Sequence, residues 1–81
     1  MKYKYFITLF DGYRKTPRYR FFRIGVHKRY YRWRELMIKS NEWVMSDWYL
    51  GNAQHDKRFL SIREVTKEEL DNFLFMQELT T

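Results

Sequence analysis

Val65-Thr66-Lys67-Glu68-Glu69-Leu70-Asp71-Asn72-Phe73-Leu74 turns a strand into a helix within one residue. Thr66 followed three positions on by Glu69 is a capping box, in which the threonine oxygen accepts from the N3 amide and the glutamate reaches back to the cap N–H. Glu68, Glu69 and Asp71 crowd the first turn, where the helix dipole favours negative charge. Leu70, Phe73, Leu74 and then Met76 or Gln77 recur at helical spacing, so a helix running to about Leu79 carries one apolar stripe and must lie on something apolar.

Upstream, Phe59 to Val65 reads as a strand, and other segments supply the rest of a sheet. Lys2 to Phe10 alternates Tyr3, Tyr5, Ile7 and Leu9 against Lys4, Phe6, Thr8 and Phe10, a β-branched and aromatic run typical of a strand. Asp11-Gly12 offers a hairpin turn, but Pro17 argues for one longer loop from Asp11 to Pro17, because proline cannot donate to a strand ladder. Arg18 to His27 is the second strand, with apolar groups on both faces; Gly25 marks a bulge or the close approach of another backbone. Arg29 to Lys39 fits either period, and Tyr30, Trp33, Leu36 and Met37 favour a short helix. Glu42 to Leu50 returns to strand character, and Gly51 to Arg58 is polar and loop-like. The expected architecture is α+β, one domain spanning residues 1–81: a small antiparallel sheet of about four strands, a short middle helix, and a C-terminal helix packed on one face. The alternative is a small β-barrel with a terminal helix, with Gly25 at a barrel corner.

The 81 residues suit one hydrophobic core. Seven Phe, seven Tyr and three Trp exceed what a surface platform can use in so short a chain, so most of these rings belong inside. Cysteine is absent, which excludes disulfides and thiolate chemistry. No apolar run approaches a membrane span and the N-terminus lacks a leader-like apolar segment, so the expectation is a cytoplasmic protein with no membrane partner.

The net charge of +6 conceals an asymmetry: residues 1–40 hold twelve Lys and Arg against Asp11 and Glu35, a balance of +10, and residues 41–81 hold four against eight, a balance of −4. Arginines interleave with rings from Arg14 to Arg34. Arginine forks onto phosphate and stacks on planar groups, so the surplus predicts a polyanionic partner, nucleic acid ahead of an acidic protein surface or anionic lipid. The expected contacts are Arg18, Arg20, Arg23, Arg32 and Arg34, with Tyr19 and Tyr30 stacking on bases of a single strand. Alternation puts Arg18 and Arg20 on one strand face and Arg23 on the other.

Catalytic templates fail one by one. His27 and His55 belong to no spaced pair, His55-Asp56 with Asp47 reads as solvated turn chemistry, and three isolated glycines make no phosphate-cradling loop. No enzyme activity, cofactor or metal is expected. The competing class is a small protein-binding adaptor or inhibitor, of the kind found among phage and viral accessory proteins, with Trp43, Met45, Tyr49 and Phe75 as anchors. A homodimer would use the same aromatic surplus, the acidic half of one copy meeting the basic half of another.

Overall fold

The computed structural model describes residues 2–12, 16–25, 33–46 and 50–80. The chain forms β1 (Tyr3–Phe10), β2 (Arg18–Gly25), β3 (Trp33–Met37), β4 (Glu42–Met45), α1 (Leu50–His55), β5 (Phe59–Val65) and α2 (Lys67–Thr80). All strand pairs are antiparallel, in the order β4-β3-β2-β1-β5. The sheet is open, with β4 and β5 at its edges, and the barrel arrangement is not adopted.

β1 lies second in the sheet and is buried on both sides, so Tyr5, Phe6, Ile7 and Thr8 are consecutively buried. Its alternation sorts the core into two layers. Tyr5 and Ile7 join Phe21, Leu36, Val65 and Leu70 beneath α2, with Phe73 and Leu74 packed against them. Phe6 joins Phe22, Ile24 and Ala53 beneath α1, flanked by Trp33, Phe59 and Ile62. We refer to these as the α2 face and the α1 face. Burying such side chains contributes about 1.5 to 3 kcal/mol each and consumes most of the described rings.

The capping box forms as the sequence requires: the Glu69 N–H donates to Thr66 Oγ1 at 3.1 Å and the Thr66 N–H donates to Glu69 Oε1 at 3.1 Å. On α2, Leu70 is buried, Phe73, Leu74 and Gln77 are half-buried, and Met76 faces outward, which settles the stripe on Gln77.

Three expectations need correction. The predicted helix over 29–39 is in its described part the strand β3, and residues 26–32 lie outside the described residues. β2 is apolar on both faces and its free backbone edge must be paired, which a strand does and a helix does not. A turn at Ile38–Asn41 follows, with Asn41 in the left-handed region at φ 55°, a conformation asparagine tolerates better than most residues. The polar segment Gly51 to Arg58 contributes most of a short helix, α1, in which Ala53 is buried against the sheet. The strand predicted over 42–50 ends at Met45, and residues 47–49 lie outside the described residues. The sheet thus has five strands, and α1 covers the face opposite α2.

Phe10 pairs with Arg18, so β1 and β2 are not joined at a two-residue Asp11-Gly12 turn; residues 13–15 lie outside the described residues. Gly25 closes β2 in regular register opposite Tyr3; the irregularity lies instead between Leu9 and Phe10 against β5. Among the described residues no helix is long and apolar enough to cross a membrane.

Candidate nucleic-acid interface

Strand alternation divides the arginines between the two faces. Arg18 and Arg20 project from the α1 face; Tyr19 and Arg23 project from the α2 face, and Arg34 joins them because it is the cross-strand partner of Arg23. Arg32 and Tyr30 lie outside the described residues.

Arg20 is committed to the fold. Its Nε donates to Glu35 Oε2 at 2.9 Å and its Nη2 to Glu35 Oε1 at 2.6 Å, a bidentate pair. The guanidinium carbon sits 4.7 Å from the Phe10 ring centre, 5.1 Å from Phe22 and 5.7 Å from Phe59. With two N–H groups on a carboxylate and its flat faces on rings, Arg20 has little left to offer a ligand. Two more arginines share the Phe10 ring, Arg18 at 5.8 Å and Arg58 at 5.4 Å. Arg18 is exposed, whereas Arg58 forks onto Asp56. That side-chain pairing, helped by the Arg58 backbone N–H, holds the Asp56 carboxyl below its ordinary range. A side chain at Gly12 would put its Cβ 2.7 Å from the Phe10 ring, so this position favours glycine by close approach.

The α2 face is arranged differently. Arg23 is held between two rings, its guanidinium carbon 4.4 Å from the centre of Tyr3 and 4.5 Å from that of Trp43. Tyr5 backs the pair, 6.1 Å from Tyr3 and 6.0 Å from Trp43. The Arg23 Nε is buried and has no hydrogen-bond partner. Arg34 stands directly across from Arg23 on β3, and Met45 across from Arg34 on β4. Among the described residues the ion pairs are Arg20–Glu35, Arg58–Asp56 and Lys67–Asp71, and neither Arg23 nor Arg34 takes part. Like charges directly opposite on neighbouring strands are destabilising. Among the described residues Arg20 has a carboxylate partner, whereas Arg23 has two rings and, across the strand, another arginine.

Further positive charge gathers at the same end of the sheet. A shallow depression of about 450 Å³ opens there between β1, β5 and the start of α2, with Lys2, Lys4, Glu64 and the Asp71-paired Lys67 on its walls. Lys28, Arg29 and Arg32 lie outside the described residues. α2 leaves this corner of its face open: Phe73 packs edge-on against Tyr19 at 4.9 Å and Phe21 at 5.8 Å, whereas Met45 is 66% exposed. Tyr19 itself is 42% exposed. It sits four residues along β2 from Arg23, about 13 Å at strand rise, so it borders the site without joining it.

Tyr3 and Trp43 are the residues the arginine-centred reading missed. Tyr3 looked like one more ring in an alternating strand, and Trp43 like an anchor for a protein partner; only the register of β1, β2 and β4 brings both onto Arg23. His55 ends α1 and is exposed, Asp56 answers to Arg58, and Asp47 lies outside the described residues. The chain matches no family model, no curated protein and no solved structure, so the site rests on its own geometry.

Proposed function

We propose that this chain is a non-enzymatic nucleic-acid-binding protein, and that phosphates lie across Arg23 and Arg34 on the open corner of the α2 face. The observation that carries the reading is the cross-strand arginine pair, one member held between Tyr3 and Trp43, with no carboxylate on either among the described residues. A guanidinium fixed in place loses little freedom when it forks onto a phosphate, and an anion there relieves the repulsion between the two cations. Lys2 and Lys4 extend the positive field at that end of the sheet.

A single strand suits this corner better than a duplex. α2 stands on the sheet beside the site, an obstacle to a rigid double helix and a wall along which a flexible strand can run. Tyr3 and Trp43 already stack on Arg23, so affinity comes chiefly from phosphates, with Tyr19 as the exposed ring able to stack a base. Arg18 on the other face contributes only to the general field.

The test compares two charge reversals in a fluorescence-anisotropy titration with a labelled oligonucleotide single strand. Arg34→Glu should weaken binding at least tenfold, and Arg18→Glu by no more than about threefold. Equal effects would show that the corner is not the contact surface.

One observation favours a second reading, in which the partner is a protein: Met45 and Phe75, on β4 and α2, are 66% and 60% exposed. Exposed anchors of this kind suit a protein surface.

A further inference from the structure

We infer that a second copy of this chain docks on the open corner of the α2 face, each copy laying the outer surface of its α2 over the other's Arg23, Arg34 and Met45. The outer surface of α2 has the complementary character. Glu68, Asp71 and Phe75 recur at i, i+3 and i+7 and so share one stripe; Asp71 pairs with Lys67 in an exposed ion pair that a partner's arginine can replace, and Phe75 is 60% exposed. The helix as a whole holds Glu68, Glu69, Asp71 and Glu78 against Lys67, a balance of −3. The corner holds two arginines that have no carboxylate partner among the described residues and a methionine that is 66% exposed. An acidic stripe with an exposed ring thus faces a basic patch with an exposed thioether.

Geometry makes the match reciprocal. Helix and open corner lie on the same side of the sheet, with the helix rising beside the corner like a step. Two such steps brought face to face about a two-fold axis interlock, each helix seated on the partner's open strands, and the contact closes at two copies. Packing α2 on α2 instead would set acidic stripe against acidic stripe, which the charges oppose.

The seat overlaps the surface proposed for nucleic acid, so the dimer is the form free of nucleic acid and a bound strand displaces the partner helix. That competition rests on the nucleic-acid reading; the dimer itself does not.

Sedimentation velocity tests this with the full chain, stripped of nucleic acid by high-salt ion exchange. The wild-type protein should show a reversible monomer–dimer equilibrium that weakens with added salt. Arg34→Glu alone should be monomeric, because its corner repels the partner helix, and Glu68→Lys with Asp71→Lys alone should be monomeric for the mirror reason. Mixed one to one, the two variants should form a heterodimer, since each corner then meets a helix of opposite sign. Phe75→Ser, an exposed change that spares the core, should weaken the wild-type dimer at least tenfold, and circular dichroism confirms that each variant is folded. A wild-type protein that stays monomeric, a dimer that survives in both charge variants, or a mixture that fails to associate overturns the proposal. None of these outcomes bears on whether the monomer binds an oligonucleotide, so the two readings fail separately.

Discussion

Glu35→Ala removes the carboxylate that Arg20 grips with two hydrogen bonds, at 2.9 and 2.6 Å. The side chains of Arg20 and Glu35 retain only 20% and 14% of their exposure, so both are largely withdrawn from water. Breaking a fully buried pair costs about 3 to 5 kcal/mol because a charge is stranded. The remaining exposure lets water reach the guanidinium, which lowers the expected loss to about 2 to 3 kcal/mol, in line with a bidentate charge-assisted hydrogen bond. Arg20→Ala should cost more, about 3 to 4 kcal/mol, because it also takes a cation from the faces of Phe10 and Phe22, each such contact contributing roughly 0.5 to 1 kcal/mol. A domain of this length is stable by about 4 to 12 kcal/mol, so both variants should remain folded and measurable by urea denaturation. In the double-mutant cycle the coupling should be about 1.5 to 3 kcal/mol. The exposed Lys67–Asp71 pair is the control, and Asp71→Ala should cost within about 0.5 kcal/mol. A Glu35→Ala loss below about 0.5 kcal/mol, or strict additivity in the cycle, would refute the assignment of Arg20 to the fold.

Thr66→Ala should destabilise the protein by about 0.5 to 2 kcal/mol, since the Glu69 N–H loses its acceptor; coincident denaturation midpoints would show that the box does not matter. Asp56 should titrate below the ordinary aspartate range in a carboxyl NMR experiment and return toward it in Arg58→Ala, because Arg58 holds the carboxylate. With the folded value depressed, the stability it confers is complete above the unfolded pKa of about 3.9 and lost as pH falls through the lower folded value, so removing Arg58 should lower stability slightly at neutral pH, the pair being exposed, and make no difference below the folded value.

The elements that could be read from the chain are those whose signals are local. Thr66 and Glu69 complete each other's hydrogen bonds within four residues, and β1 and β5 announce themselves by composition and alternation. β3 was ambiguous because Trp33 and Met37 fit both periods; the missing information was that β2 needed a partner on its free edge. α1 left no periodic trace, since six residues are too few to show a period and tertiary burial of Ala53 outweighs weak propensity. At the site, the richness in arginine was legible and its division was not. Arg20 finds Glu35 fifteen residues away and Arg23 finds Trp43 across two strands, outcomes of register rather than of spacing.

If phosphates lie across Arg23 and Arg34 as proposed, the salt dependence of single-strand binding must register it. Each cation that neutralises a phosphate releases counterion, so roughly four to six contacts predict a log–log slope of affinity against salt of about −3 to −5. Arg34→Glu should make that slope shallower by at least about one, with the protein still folded by circular dichroism. No binding at low salt, or a slope that Arg34→Glu leaves unchanged, would contradict the account.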